Sequence, residues 1–358
     1  MVIHCHVSNS TKDCVFSSRI DTSLMKFSFS YHFYDRVFFD AFKNAHGTWT
    51  NRKGFLIDVL CDNKRVFGEV APIPEFGTET LQEAENFLES VILEDFKSLQ
   101  ELEVPQALPC CSFAFSSVIS QILESLNSCK KQSYSVAGLL PSSPKMLSVF
   151  KEKSKKGFSV FKWKIGVNDF EEESALFEEL LESSVLGQKF RLDANASMSE
   201  QELLRWLQFS QAFKARIDFF EQPLPVGSES IMADLSERFN IPIALDESLN
   251  GQKGSIWLSP NQWRGPLVVK PCLLGSVDSQ FENYQKISDQ LVFSSAFETS
   301  VGLNQCLVLK SKLKPNDFAL GFDTREVFED RYGERLSEPE INTSVIRESV
   351  QRFIENGF

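Results

Sequence analysis

The chain of 358 residues predicts a modified TIM (β/α) barrel preceded by a smaller α+β capping domain. A polar or charged residue ends each of seven apolar runs at intervals of 29, 28, 25, 24, 28 and 25 residues, namely at Lys164, Asp193, Glu221, Asp246, Lys270, Glu298 and Asp323. One strand, one helix and two short loops need roughly 25 to 30 residues, so this spacing indicates parallel strands that end at one rim. A barrel takes about 250 residues, which leaves roughly 100 for a second unit.

The second unit is predicted over residues 1–130, and we expect its first ~20 residues to be loosely ordered. Residues 24–38 alternate, which places Phe27, Phe29, Tyr31 and Phe33 on one face of a half-buried strand. Two further alternating runs flank Asp62-Asn63-Lys64 and predict a hairpin. Helical patterns follow at 81–91 and 113–126. Strands followed by helices, before any repeat appears, are typical of an α+β domain.

The barrel is predicted over residues 131–325 as eight strands with helices between them. The strands are expected near 135–140, 159–165, 189–195, 217–224, 241–248, 267–273, 291–297 and 318–322. The last segment, 326–358, lies beyond the eighth strand, and we expect it to pack back on the capping domain.

Composition excludes several classes of protein. A net charge of -12 disfavours nucleic acid and anionic membranes, because both need clustered Lys or Arg. Eight scattered cysteines without a CxxC pair predict reduced, mostly buried thiols in the cytoplasm. No apolar run reaches the ~18 residues that span a bilayer. His4, Cys5 and His6 suit either a metal site or a polar tail. Without clusters of Lys or Arg, the lysines that matter for function must act locally.

The strand ends predict a metal site with a base. Side chains alternate along a strand, so Lys162 and Lys164 point the same way while Trp163 faces the helices. Three acids on successive strands, with Asp193 as the first, suit an oxygen-binding cation such as Mg²⁺, with Mn²⁺ as a substitute. The alternative for each acid alone is a helix cap or a surface ion pair. The acids predicted to bind the metal are Asp193, Glu221 and Asp246.

Several motifs carry a family resemblance. Those shared with the enolase superfamily, in its muconate-lactonizing subgroup, are Lys-Trp-Lys at 162–164, Leu-Asp-Ala-Asn at 192–195, Phe-Glu-Gln-Pro at 220–223, Asp-Glu-Ser at 246–248 and Val-Lys-Pro at 269–271. Within that subgroup the chain resembles the o-succinylbenzoate synthases. This closer likeness rests on Gly-Glu-Val-Ala-Pro at 68–72, Glu-Thr-Ser-Val-Gly-Leu at 298–303 and Gly-Phe-Asp-Thr at 321–324.

The resemblance implies a lyase reaction and a cofactor. These synthases act on a small-molecule carboxylate partner: they remove water from 2-succinyl-6-hydroxy-2,4-cyclohexadiene-1-carboxylate and form 2-succinylbenzoate for menaquinone or phylloquinone biosynthesis. The departing proton is α to a carboxylate, and Mg²⁺ stabilises the charge that develops when it leaves. Enolase-superfamily sites use a Lys or His base together with Mg²⁺.

The resemblance also implies a role for each residue. Lys164 is the base, and its ammonium then protonates the departing hydroxyl. Lys162 lowers the basicity of its neighbour, and Lys270 places a cation over the ring from the opposite side. Asn195 and Glu247 orient the ligands and lysines. Further residues expected to support the site or bind substrate are Arg191, Ser294, Ser295, Glu298, Gly321 and Asp323.

Two other functions stay open at this point. One is an epimerase or racemase of dipeptides or N-acylamino acids, which uses two opposed lysines as two bases. Gly321-Phe-Asp-Thr lacks the Asp-x-Asp with which dipeptide epimerases hold an amino group. The other is a non-catalytic metal-binding barrel, against which the complete set of acids and lysines argues. Family members often carry a run of serines at the seventh strand, whereas Ala296-Phe297 follows Ser294-Ser295 here.

Overall fold

The computed structural model describes residues 27–44, 47–93, 102–123, 132–328 and 337–355. The start of the chain, where loose order was predicted, lies outside these residues, as do His4, Cys5 and His6.

A three-stranded antiparallel sheet opens the described chain, in the order β1 (Phe27–Asn44), β2 (Gly47–Cys61) and β3 (Lys64–Val70). The turn between β2 and β3 contains Asp62 at a φ of 51°, a conformation that Asp tolerates, and the predicted hairpin is confirmed. Helices α1 (Leu81–Leu93) and α2 (Pro109–Leu123) follow. Helix α2 begins at Pro109 rather than at Phe113, because proline is accepted in the first helical turn.

Strand β1 changes its buried face near its middle. Phe29 is partly buried and stacks on a ring of α2, as the alternation predicted. Phe33 was predicted to share that buried face, but it is 53% exposed. Beyond it the opposite face is covered by the barrel instead of by the helices, so the predicted alternation holds for only half of the strand. The buried residues of this opposite face are Tyr34, Arg36 and Phe38.

The barrel is confirmed. After β4 (Ser133–Ser135), five parallel strands pair in chain order: β5 (Gly138–Leu140), β6 (Val160–Lys164), β7 (Lys189–Asp193), β8 (Ile217–Glu221) and β9 (Ile243–Ala244). A parallel pair, β10 (Leu267–Val269) and β11 (Leu291–Phe293), follows. The helices between them are α3 (Met146–Lys156), α4 (Phe170–Ser183), α5 (Glu200–Ser210), α6 (Glu229–Phe239), α7 (Gly251–Gly254), α8 (Val277–Lys286) and α9 (Ser300–Lys312).

Single bridges close the ring. Leu245 pairs with Leu267, Ser294 with Gly321, and Leu320 with Val136, all in the parallel sense. The predicted eighth strand at 318–322 is therefore two single bridges rather than a regular strand. The fifth to seventh strands end earlier than predicted, because the chain turns at the rim into short 3-10 helices or loops.

The last described segment contacts both parts of the molecule. Strand β12 (Glu340–Asn342) pairs antiparallel with β4, and helix α10 (Thr343–Glu355) lies on α9. Val350 of α10 also packs against Tyr34 of β1 and Val301 of α9. The domain limits near residues 130 and 325 stay a prediction.

None of the helices in the described ranges combines the length and the apolar composition needed to cross a bilayer.

Candidate active site

Strand β6 delivers two lysines to the inside of the barrel. Trp163 is buried and stacks on Phe177 of α4 with ring centroids 6.1 Å apart, so it faces the helix layer as predicted. The alternation then turns Lys162 and Lys164 inward. In register, Lys164 is opposite Asp193 of β7, and Asp193 is opposite Glu221 of β8. Three neighbouring strands thus end at one rim with charged side chains.

Lys162 joins two of the predicted metal ligands. Its Nζ lies 2.9 Å from Asp193 Oδ2 and 2.7 Å from Glu221 Oε1. Burial disfavours the ammonium, but these carboxylates raise its pKa above the ordinary lysine value. Burial raises the pKa of the Asp193 carboxyl, but Lys162, Lys164 and the Asn195 amide together lower it below its ordinary value. The two carboxylates therefore favour the ammonium form of Lys162.

Lys270 holds the third acid from the opposite side. It follows β10, four strands from β6 in the eight-stranded ring, and its Nζ binds Asp246 Oδ1. Burial lowers its pKa, but the Asp246, Glu247 and Glu221 carboxylates together raise it above the ordinary lysine value. The same Nζ lies 5.3 Å from the ring centroid of Phe76, which the capping part of the chain supplies. A protonated lysine thus lies between a carboxylate and an aromatic face.

Lys164 differs from the other two lysines. Burial lowers its pKa, the positive charge of Lys162 lowers it further, and Asp193 opposes both effects. Its pKa therefore stays below the ordinary lysine value. The sequence predicted the contribution of Lys162, whereas the larger contribution of burial depends on the folded surroundings.

The site holds more acid than the lysines neutralise. Burial and nearby acids raise the pKa of Glu221 to about 7, and burial with Asp246 and Asp193 raises that of Glu247 to about 8. Asn195 Nδ2 lies 3.1 Å from Glu247 Oε1, and the Asn195 amide donates to Asp193 Oδ1 at 3.0 Å. Asn195 Oδ1 and Glu247 Oε2 are buried without a hydrogen-bond partner among the described residues. Surplus negative charge and orphaned oxygens suit a hard cation.

The acids do not converge on one point as they stand. Lys162 lies between Asp193 and Glu221, while Lys270 binds Asp246. Within the ranges the structure describes, no three acidic, His or Cys side chains are close enough together to hold one ion. The donor chemistry and charge fit Mg²⁺, and the assignment of these three residues as its ligands stays a prediction.

Gln222 is a positioning residue to which the sequence assigned no role. It is fully buried with a φ of 34°, and its Oε1 accepts from the amides of Asp246 (3.0 Å) and Ser248 (3.1 Å). Its Nε2 donates to Ser248 Oγ at 2.8 Å. Gln222, which follows β8, therefore fixes the turn after β9 that carries Asp246. The sequence feature that could have identified Gln222 is its position directly after Glu221, a predicted metal ligand.

Arg191 supports the barrel wall. Its Nε donates to Asp218 Oδ2 at 2.8 Å, and its guanidinium lies 4.7 Å from the ring centroid of Phe219. Its Nη2 is buried and makes no hydrogen bond within the described residues.

The seventh strand leads to a hydrogen-bonded turn. Ser294 donates its amide to Val269 O at 2.9 Å, which puts it next to Lys270. Ser295 Oγ donates to Glu298 Oε2 at 3.1 Å and accepts from the Phe297 amide at 2.9 Å. Burial raises the pKa of Glu298 to about 7. Ser295 and Glu298 thus shape the turn through contacts with each other.

Gly321 and Asp323 end the ring. A Cβ on Gly321 would lie 2.6 Å from Ser294 Oγ, so any larger residue there would force Ser294 to move. The Asp323 carboxylate accepts from the Leu139 amide (2.7 Å), from Ser337 Oγ (2.7 Å) and from Lys153 Nζ of α3. The structure therefore places Asp323 in a link between the eighth segment, α3 and the C-terminal segment, apart from the three predicted ligands.

Two families of protein domain match the chain. Residues 45–122 match the family described as MenC, N-terminal domain, and residues 145–256 match the family described as enolase C-terminal domain-like. A capped barrel with acids and lysines on its rim defines an enzyme of the enolase superfamily.

Relatives define the family more closely. The o-succinylbenzoate synthase of Vibrio cholerae is 30% identical over 78% of this chain and 83% of its own, and that of Thermosynechococcus vestitus is 29% identical over 81% and 90%. A crystal structure of o-succinylbenzoate synthase from Thermosynechococcus elongatus, complexed with Mg in the active site, matches with a TM-score of 0.74 and 25% identity over 91% of this chain and 99% of that one. The chain belongs to the o-succinylbenzoate synthase family.

A more distant likeness shows the fold alone. The L-Ala-D/L-Glu epimerase from Bacillus subtilis matches with a TM-score of 0.70 and 16% identity over 85% of this chain and 91% of that one.

Proposed function

We propose that this protein is an o-succinylbenzoate synthase, a Mg²⁺-dependent hydro-lyase that forms 2-succinylbenzoate from 2-succinyl-6-hydroxy-2,4-cyclohexadiene-1-carboxylate. The observation that carries the proposal is the pair of unlike lysines on opposite sides of the ring. Lys164 has a lowered pKa, while Lys270 is held as a cation. One side of the barrel can exchange a proton, and the other can stabilise negative charge.

The reaction begins with Lys164 as a neutral amine. Its nitrogen takes the proton α to the substrate carboxylate, and the electrons of the C–H bond pass into the carboxylate and the ring diene. Burial of Lys164 and the charge of Lys162 both increase the fraction of neutral amine. Mg²⁺, when bound, supplies positive charge for the dianion that forms. Asp193, Glu221 and Asp246 would hold it.

The second step returns the proton. The Lys164 ammonium donates to the departing hydroxyl, the C–O bond breaks, water leaves and the ring becomes aromatic. One lysine serves both steps because both the proton and the hydroxyl leave from its side. Lys270 stays protonated beside Asp246, where its charge faces the negative density of the intermediate.

The structure also bears on the epimerase alternative. An amino-group substrate needs a carboxylate partner near the eighth strand, since a buried ammonium without one is costly. Asp323 is the acid of the Gly321–Thr324 motif, and it is already bound by Lys153 and Ser337. This arrangement favours dehydration. Lys270 is paired with Asp246 and held as a cation, which also argues against Lys270 as a second base.

A direct assay tests the proposal. The purified protein with Mg²⁺ and the cyclohexadiene should lose the diene absorbance and gain the absorbance of the benzoate. In deuterated water, it should not place deuterium at the α-carbon of dipeptides or N-acylamino acids. Deuterium in both stereoisomers, with no aromatisation of the diene, would establish an epimerase in place of the synthase.

We also propose a cytoplasmic site of action. Five cysteines that the structure describes are buried and outside any disulfide, namely Cys61, Cys110, Cys111, Cys272 and Cys306. Reduced thiols of this kind are typical of a reducing compartment.

A further inference from the structure

Two buried arginines of the three-stranded sheet, Arg36 and Arg52, donate hydrogen bonds to the turn that follows β11. Arg36 Nη1 donates to the carbonyls of Phe297 (3.2 Å) and Glu298 (3.0 Å), and Arg52 Nε donates to the carbonyl of Ala296 (3.0 Å). Arg36 is 2% exposed and Arg52 4%. Three consecutive carbonyls of the barrel thus accept from guanidinium groups that arrive from a different part of the chain.

Each arginine is fixed at a second point. Arg52 Nη1 also donates to Pro72 O at 2.7 Å, and its Nη2 donates to Ala71 O, so its guanidinium links the end of β3 to the barrel. The Arg36 guanidinium lies 3.7 Å from the ring centroid of Phe328. The planar fork of arginine allows several such bonds at once, which the single ammonium of lysine does not.

The turn at residues 296–298, which these arginines bind, is strained. Phe297 has a φ of 63°, which bulky residues rarely adopt and which persists only where the surroundings enforce it. Its ring is packed edge-on against Phe38 of β1 at 5.3 Å and against Trp49 of β2 at 6.4 Å. The same sheet therefore holds the main chain of this residue with arginines and its side chain with aromatic rings.

The turn lies at the mouth of the site. Ser294 is adjacent to Lys270 across β10 and β11. The carbonyls that accept from the arginines begin two residues later, at Ala296. Phe76, which faces Lys270, is also packed against Trp49 with centroids 5.9 Å apart. One continuous set of contacts thus runs from the arginines and aromatic residues of the capping sheet to the Lys270 side of the pocket.

We propose that Arg36 and Arg52 are positioning residues that set the substrate-binding wall formed by residues 294–298. This inference rests on the proposed function, since it concerns where the side chain of the succinyl substrate is held. The hydrogen bonds described above for both arginines go to main-chain carbonyls and not to Lys164 or the predicted metal ligands. Their loss should therefore impair binding of substrate more than the chemical step.

Kinetics of conservative variants test the inference. In Arg52→Lys and Arg36→Lys, KM should rise by about tenfold, because a hydrogen bond from a charged group contributes on the order of a tenfold change in an equilibrium. The kcat per folded enzyme should change by less than about threefold. The Mg²⁺ concentration for half-maximal activity should be unchanged. Circular dichroism and a denaturation curve give the folded fraction.

Two further variants keep the test decisive. Arg65→Lys is the matched control, since Arg65 lies in the same sheet but binds Asp58 of that sheet, and its KM should equal that of the wild type. Phe38→Leu keeps both arginines and loosens the aromatic packing on Phe297 and Phe328, so its KM should rise by less than that of the arginine variants. It gives a result even where an arginine variant does not fold.

The outcomes separate this inference from the proposed function. A wild-type protein that does not aromatise the diene overturns the function itself. An active wild type whose Arg52→Lys, Arg36→Lys and Phe38→Leu variants all keep the wild-type KM overturns the positioning role. A fall in kcat that matches the loss of folded protein, at constant KM, does the same, because it shows that the arginines only stabilise the fold.

Discussion

Replacing Glu69 should destabilise the protein through one helix end. Glu69 of β3 is 1% exposed, and its Oε2 accepts from the amides of Thr299 (2.9 Å) and Gly302 (2.8 Å) at the start of α9. Its Oε1 accepts from Tyr34 OH at 2.7 Å. A carboxylate of the capping sheet thus satisfies amides that a helix leaves unpaired at its first turn.

The structure sets the size of the effect. Glu69→Gln keeps the shape and removes the charge, which should cost about 2 kcal/mol, the difference between charged and neutral hydrogen bonds plus the helix-dipole contribution. Glu69→Ala leaves two amides and the hydroxyls of Tyr34 and Thr299 without their acceptor. At about 1 to 3 kcal/mol for each buried group, and with partial relaxation, the loss should be about 3 to 5 kcal/mol.

Urea denaturation followed by far-ultraviolet circular dichroism measures both losses. The matched controls are Glu83→Gln and Glu83→Ala. Glu83 accepts from the Thr80 amide at 2.7 Å at the start of α1, but in an exposed capping box where water replaces it. The order of stability should be wild type, Glu83 variants, Glu69→Gln and then Glu69→Ala. If Glu69→Ala unfolds at the same urea concentration as Glu83→Ala, the sheet does not cap α9 in solution.

Three other expectations concern the cation, the base and a buried lysine. A chelator should abolish activity, and Mg²⁺ or Mn²⁺ should restore it. Asp193→Asn and Glu221→Gln should each lose activity as the chelated protein does. Full turnover by metal-free protein would contradict this expectation. Lys164→Ala and Lys164→Arg should each lose at least about 10² to 10⁴-fold in kcat with the fold intact. Wild-type activity should rise with pH below the ordinary lysine range, because burial lowers the pKa of Lys164. An active Lys164→Arg would reassign the base. Burial lowers the pKa of Lys310 to about 8, so the folded protein binds this proton less readily than the unfolded chain and its stability should rise between pH 8 and 10.5. Lys310→Met should therefore stabilise the protein by about 2 kcal/mol at pH 7 and by much less at pH 10, and denaturation midpoints that shift equally at both pH values would exclude this account.

The sequence by itself determined the barrel and the members of its site. An apolar run that ends in a polar residue, repeated at the length of a strand and a helix, is a local pattern, and alternation along one strand decides which side chains share a face. Lys162, Lys164 and Asp193 could therefore be placed inside the ring before any contact was known. The outward position of Trp163 followed from the same period.

The tertiary structure alone decided which residues complete and support that site. Arg36, Arg52 and Glu69 lie more than 200 residues from the turn and the helix they hold, and nothing in their local pattern names these partners. The same holds for Asp323, whose position at a strand end resembles that of the predicted ligands although its carboxylate is bound by Lys153.

The physical reason lies in the range of each interaction. Periodicity reports which face of an element is buried, because burial of apolar surface is non-directional and needs no particular partner. Hydrogen bonds and ion pairs need one partner at one distance and angle, and folding alone supplies it. Phe33 shows the limit of periodicity within one strand. The alternation of apolar residues continues through β1 without a break, while the layer that covers the strand changes from helices to barrel and leaves Phe33 exposed. Local sequence thus determined the chemistry of the rim, and long-range packing determined how firmly, and against which neighbours, that rim is held.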